Sequence, residues 1–111
     1  MLFRSAGAMG FELNFGCPHG MTERGMGAAV GQDPDIARMV VEWVMEKATI
    51  PVITKLTPNV HSVVPTGKAC VEAGTNALSL INTIQSVTGI DLDTFVPNPY
   101  VAGKKIGRAH V

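Results

Sequence analysis

Three times along this chain a short apolar run gives way to a glycine- or proline-marked break and then to residues at helical spacing. In Phe11–Phe15, Phe11, Leu13 and Phe15 alternate with Glu12 and Asn14, which predicts a strand with one apolar face. A loop carrying Gly16, Pro18, Gly20, Gly25, Gly27 and Gly31 follows. Asp33-Pro34-Asp35 then marks a helix start: a side-chain cap, a proline at the first helical position and an acid at the positive end of the dipole. Ile36, Met39, Val40, Trp43 and Val44 recur with helical period to about Lys47, and the expectation is that Trp43 and the methionines face the core.

The second run, Ile50–Leu56, is β-branched with Pro51 at its entry, as in a buried parallel strand, and Thr57-Pro58-Asn59 ends it. A helix is expected from near Pro65 through Ala69, Cys70 and Ala73 to Gly74 as its stop. The third strand is expected over Asn76–Ile81, ending at Asn82-Thr83. Residues 2–8 read as the end of a helix stopped by Gly7 or Gly10. The stretch from Gln85 to Gly103 has no period and reads as a long excursion with a short hairpin. Strand–loop–helix repeated in this way predicts an α/β fold with parallel strands, about three units of a (β/α)8 TIM barrel. A whole barrel needs about 250 residues, so these 111 residues are expected to be a fragment with two open sheet edges.

Composition narrows the function classes. Nine basic and nine acidic side chains cancel, which gives no footing for a polyanion or an anionic membrane. No apolar run approaches the roughly 20 residues that span a bilayer, and Met1-Leu2-Phe3-Arg4 opens no signal peptide. Two cysteines in unlike settings read as free thiols of a reducing compartment, so a cytoplasmic setting is expected. Without a Cys-x-x-Cys pattern the chain is expected to hold no metal or iron–sulfur cluster itself.

Each expected strand ends in side chains that chemistry can use: Asn14 before Cys17, then Lys55, then Asn82-Thr83. A barrel gathers all strand ends on one face, so these groups converge there. Several other polar residues have plainer readings. Cys70 lies among Ala69, Val71 and Ala73 and reads as packing; Glu23 and Arg24 read as a solvated pair, and His61 as surface or cap. Asn59 reads as a strand terminator and is not counted among the site residues.

Asn14-Phe15-Gly16-Cys17-Pro18-His19-Gly20-Met21, with Glu23-Arg24-Gly25-Met26-Gly27, resembles the pyrimidine-reducing flavoenzymes. The nearest resemblance is to the FMN-binding catalytic subunits of bacterial NAD-dependent dihydropyrimidine dehydrogenases, and the Asn-x-x-Cys-Pro core is shared with dihydroorotate dehydrogenases. Thr54–Asn59 and Ser79–Ile84 match downstream in the same order, so the resemblance covers roughly residues 6–104. It implies that FMN carries the hydride step, with Lys55 at the flavin. It implies substrate contacts for Asn14, Asn82 and Thr83, and the two asparagine amides, which each give and accept a hydrogen bond, suit the alternating N–H and C=O edge of a pyrimidine. Cys17 is implied as the proton donor or acceptor, since a thiol can give or take a proton near neutral pH. His19 stands where orotate-type relatives carry Asn, which implies the dihydropyrimidine branch with His19 relaying protons or ordering the loop. NADH, FAD and iron–sulfur clusters are implied in other domains or a partner subunit.

The resemblance also isolates the last seven residues, Lys105–Val111, which read like a one-frame translation of a sequencing adapter. The expected division is therefore 1–104, a piece of the FMN-binding barrel, and 105–111, a non-native tail. The encoding nucleotides decide this, because a natural continuation past codon 111 sinks it. Without Lys105 and Arg108, seven basic side chains face nine acidic ones. That balance argues against a third relative, the tRNA-modifying dihydrouridine synthases, which need basic surface for phosphate. The alternative kept beside the dihydropyrimidine reading is dihydroorotate dehydrogenase. The isolated fragment is expected to be inactive under either.

Overall fold

The sheet is built first from two hydrogen-bonded neighbours far apart in sequence. β1 (Phe11–Asn14) pairs in parallel with β2 (Val52–Lys55), and β2 with β3 (Ala77–Ser79), giving the order β1-β2-β3. The computed structural model describes residues 6–17, 24–87, 89–98, 100–101 and 104–105. Right after β1 come α1 (Ala28–Gln32) and α2 (Pro34–Lys47), and α3 (Val64–Glu72) links β2 to β3. This is the α/β pattern of a partial TIM barrel, with parallel strands joined by crossover helices.

Local chemistry accounts for most boundaries. Asp33 caps α2 as its sequence predicts: Oδ1 accepts from the amides of Asp35 at 3.0 Å and Ile36 at 3.1 Å. α3 begins with Pro65 in its first turn and stops before Gly74, whose φ is +97°. The first and third strands are shorter than their apolar runs suggest, ending at Asn14 and Ser79. Beyond them the chain turns to reach the helices and the neighbouring strand. α1 was not expected, because Ala28–Gln32 lies inside a run read as glycine loop. Of the helix end expected over residues 2–8, residues 2–5 lie outside the described residues, and residues 6–7 form a turn.

The core lies between one face of the sheet and the helices. Phe15, Val30, Ala37, Val41, Leu56 and Cys70 are buried there, with Leu13, Val40, Met45 and Leu78 packed around them. Each Leu or Val taken fully out of water contributes about 1.5–3 kcal/mol. The buried hydroxyls are satisfied: Thr54 meets Thr75 at 3.0 Å, and Thr66 donates to the Gly31 carbonyl at 3.2 Å.

The expected apolar face of α2 needs correction. Its core contacts run through Ala37 and Val41, whereas Trp43 is 61% exposed and Ile36 and Met39 are also exposed. The Arg38–Glu72 ion pair marks the side of α2 that faces α3. At roughly 100° per residue, Ile36, Val40 and Trp43 lie about 140–200° around from Arg38, on the opposite flank. The far side of α3 and β3 is likewise apolar and open, with Val64, Val71 and Leu80 exposed. A barrel helix meets the sheet and two neighbouring helices, so both flanks of this three-strand segment carry apolar side chains.

Past β3 the chain makes the excursion its sequence predicts. β4 (Gly89–Ile90) pairs antiparallel with β5 (Pro97–Asn98), and β6 (Tyr100–Val101) with β7 (Lys104–Lys105). Asp91 holds the first turn, its Oδ1 accepting from the amides of Thr94 at 2.8 Å and Asp93 at 3.0 Å. The expected boundary between 104 and 105 falls inside β7, and residues 106–111 lie outside the described residues.

Candidate active site

Parallel pairing puts register partners on the same face. Glu12 is level with Ile53, and Asn14 with Lys55, which is level with Ser79. Val52 and Thr54 point into the helix-side core, so Glu12, Asn14, Ile53 and Lys55 point the other way, toward the interior of the barrel. The C-terminal ends of β1 and β2 therefore deliver Asn14 and Lys55 to one edge.

The third member arrives differently. After β3 the chain folds back across the end of β2, where the amide of Asn82 donates to the Leu56 carbonyl at 2.9 Å. Asn82 Nδ2 then donates to Asn14 Oδ1 at 2.7 Å. The amide orientations follow from what surrounds them. Gly16 N–H, at 3.0 Å, requires an acceptor at Asn14, so the Asn14 atom there is the oxygen. The atom of Asn82 facing that oxygen must be its nitrogen. Asn82 Oδ1 in turn accepts from the amide of Thr83 at 2.6 Å. With both oxygens engaged, the side-chain N–H groups of the pair are what remain to meet a ligand. Gly16 makes the approach possible: a Cβ there would lie 2.4 Å from Asn82 Cβ.

Lys55 is held by a residue that its own motif does not reveal. Its Nζ donates to Glu12 Oε1 at 2.7 Å, both side chains being partly exposed. The signal for Glu12 was its place two residues before Asn14, on the same face of a strand whose other face is apolar. Cys17 follows β1 directly and is half-buried; its carbonyl accepts from the Ala28 amide at 3.1 Å, tying the loop's exit to its entry. Gly31 lets α1 seat against this corner, since a Cβ there would lie 2.0 Å from the Phe15 carbonyl oxygen. His19 lies outside the described residues. Cys70 is fully buried, and desolvation pushes its thiol up to about 11, against an opposing pull from Arg38. That is a packing residue.

The strand-end edge thus gathers Asn14, Lys55 and Asn82, with Thr83 next in the chain after Asn82 and Cys17 three residues past Asn14. Its donor set, amide N–H groups beside an ammonium, fits the carbonyl-bearing edges of planar heterocycles, a flavin and a pyrimidine among them. Among the described residues no group of three or more His, Cys, Asp or Glu could hold a metal ion. No helix of the described residues is long and apolar enough to cross a membrane.

Comparison with known proteins gives a consistent set. Residues 5–107 match the family model described as dihydroorotate dehydrogenase. Over 97 residues the chain is 46% identical to a chloroplastic dihydropyrimidine dehydrogenase (NADP(+)) of Arabidopsis thaliana, covering 87% of this chain and 23% of that protein. It is 37% identical over 103 residues to the NAD-dependent dihydropyrimidine dehydrogenase subunit PreA of Escherichia coli K12, covering 93% and 25%. A dihydroorotate dehydrogenase B (NAD(+)) catalytic subunit of Methanothermobacter thermautotrophicus is 44% identical over 86 residues, covering 78% and 28%. The chain spans about a quarter of the length of these relatives.

Proposed function

The chain belongs to the dihydroorotate dehydrogenase family, and we propose that it is the substrate-side portion of an FMN-dependent pyrimidine oxidoreductase. The reaction is the interconversion of uracil or thymine with the 5,6-dihydropyrimidine. The observation that carries this reading is the hydrogen-bonded pair Asn14–Asn82 at the strand-end edge beside Lys55. Its amide N–H groups suit the ring carbonyls of a pyrimidine, and Thr83 extends the same arm.

Reducing the 5,6 bond requires a hydride at one ring carbon and a proton at the other. FMN supplies the hydride when bound. Cys17, three residues past Asn14, gives or takes the proton at the other carbon, and His19 relays protons or orders the Cys17 loop. Asn14, Asn82 and Thr83 orient the ring. Lys55, braced by Glu12, would hold the flavin, its ammonium favouring the negative charge of the reduced form. NADH, FAD and iron–sulfur clusters on other domains or a partner subunit would supply the electrons; the names of two relatives, a subunit and a catalytic subunit, support such an assembly for those proteins. The free thiols Cys17 and Cys70 suit a reducing cytoplasm, and the reading includes neither nucleic acid nor membrane. The family match runs to residue 107, three residues past the expected boundary at 104.

Dihydroorotate dehydrogenase is the second reading, favoured by the 44% identity to such a catalytic subunit. The test uses the full-length protein that contains this chain, loaded with FMN and given a chemical reductant. Uracil and thymine are expected to be turned over while orotate is not, and Cys17→Ala is expected to lower the rate by at least about a hundredfold. Orotate turnover with uracil inert would establish the second reading instead. Turnover is not expected of the 111 residues alone.

A further inference from the structure

Asn59 is the most heavily bonded side chain at the strand-end edge, and it touches neither end of the Asn14–Asn82 pair. Its Nδ2 donates to the Thr83 carbonyl at 2.9 Å and to Thr57 Oγ1 at 3.3 Å. Its Oδ1 accepts from the Gln85 amide at 2.7 Å. Its own amide donates to Thr57 Oγ1 at 3.2 Å, and its carbonyl accepts from Gln32 Nε2 at 3.3 Å. One residue in the loop after β2 therefore clamps the loop after β3 at two backbone positions and is itself tied to α1.

We propose that Asn59 is a positioning residue: it fixes the Asn82–Thr83 arm so that Asn82 meets Asn14, and so sets pyrimidine affinity without touching the substrate. The clamp has to come from a side chain. β3 ends at Ser79, and beyond the Leu56 carbonyl bond the arm has no ladder partner among the described residues. An amide suits the position because the two backbone groups to be held are of opposite kind, a carbonyl at Thr83 and an N–H at Gln85. Thr57, which seats Asn59, is almost fully buried and supplies a fixed anchor.

This rests on the reading of Asn82 as a pyrimidine contact, and the experiment separates the two. In the full-length protein selectively labelled with 15N at asparagine, glutamine and threonine, Asn59→Ala is expected to move the Asn82 side-chain amide and Thr83 backbone amide resonances toward values of an unbonded, mobile segment. Asn59→Asp retains an acceptor for Gln85 but puts oxygen against the Thr83 carbonyl, and is expected to shift Thr83 while leaving Gln85 in place. In the full-length protein both variants are expected to raise the pyrimidine KM about tenfold, with FMN content and kcat unchanged. A merely structural role would lower FMN content, kcat and Tm together. Should either variant fail to fold, the unsubstituted full-length protein still decides: the Gln85 N–H and Asn59 Nδ2 protons are expected to be protected together from exchange with solvent, and rapid exchange overturns the clamp. Unmoved Asn82 and Thr83 resonances in folded variants also overturn it. Resonances that move while KM stays constant preserve the clamp and refute Asn82 as a pyrimidine contact, and with it the effect on affinity.

Discussion

Asn82 donates to Asn14 across 2.7 Å, joining residues 68 positions apart, one at the end of β1 and the other in the arm that follows β3, over the end of β2 between them. The bond closes a bridge above β2 and leaves side-chain N–H groups as the exposed chemistry. If it forms in solution, Asn14→Ala and Asn82→Ala are not independent. A double-mutant cycle by urea denaturation of the 111-residue chain should show coupling of about 0.5–1.5 kcal/mol. Strictly additive losses would mean that the two amides do not meet.

Gly31 tests how the loop corner is packed. A methyl group there would sit 2.0 Å from the Phe15 carbonyl oxygen and 2.9 Å from Thr57 Cγ2, and neither the backbone nor the buried threonine can step aside cheaply. Gly31→Ala is therefore expected to cost more than about 2 kcal/mol in the urea midpoint. Gly89→Ala, whose added Cβ would meet nothing within 4 Å, serves as the control and should change stability by less than about 0.5 kcal/mol.

Much of this arrangement was legible in the sequence because it rests on local chemistry. Asp33-Pro34-Asp35 is a helix start wherever it occurs, and β1 and β2 carry the strand periodicity that sends Asn14 and Lys55 to one face. What was not legible depends on neighbours. A stripe at Ile36, Met39 and Trp43 has the same spacing whether it meets the sheet or an adjacent helix, so period alone assigned Trp43 to the core when Ala37 and Val41 occupy it. Asn59 looked like a strand terminator because its partners, Thr83 and Gln85, lie 24 and 26 residues downstream. The Glu12–Lys55 pair was hidden for the same reason, across 43 residues, although the alternation of β1 had already put Glu12 and Asn14 on one face.

Glu12 and Lys55 form a pair that is partly open to solvent, so its contribution to folding is small, about 0.2–1 kcal/mol. Its effect on ligands should be larger. Glu12→Gln keeps the shape but removes the counter-charge, leaving the Lys55 ammonium to attract an anion more strongly. In the full-length protein the flavin midpoint potential is expected to rise, because the reduced flavin carries negative charge, while thermal stability hardly changes. A potential unmoved by Glu12→Gln would place the ammonium away from the flavin.

Cys70 predicts an alkaline limit to stability. Its thiol titrates at about 11 in the folded chain against 9.0 ordinarily, because burial disfavours the thiolate. Below pH 9 both states hold the proton and the group adds no pH dependence. Between 9 and 11 the unfolded chain releases the proton while the folded chain keeps it, so stability falls as pH rises, by roughly 2–3 kcal/mol in all. Cys70→Ala should remove that slope whatever it does to stability at neutral pH, where a small cavity has its own cost. Thiol titration gives an independent check, with half-buried Cys17 reacting in the native chain and Cys70 only after denaturation. Two thiols reacting at equal rates in the native chain would show that the helix-side core admits solvent.

The single tryptophan reports the flank of α2 directly. Trp43 is 61% exposed, on the side of the helix turned away from α3, and no other tryptophan contributes to the emission. The 111-residue chain should therefore emit at the wavelength of a hydrated indole and be readily quenched by acrylamide. Trp43→Lys should alter its stability by no more than about 0.5 kcal/mol. In the full-length protein the same flank faces the position of the preceding barrel helix, so the emission should move to shorter wavelength and quenching should drop. There Trp43→Lys would place a charge in a helix–helix contact and should cost several times more. Equal quenching in the two proteins would mean that this flank stays open to solvent in the complete fold.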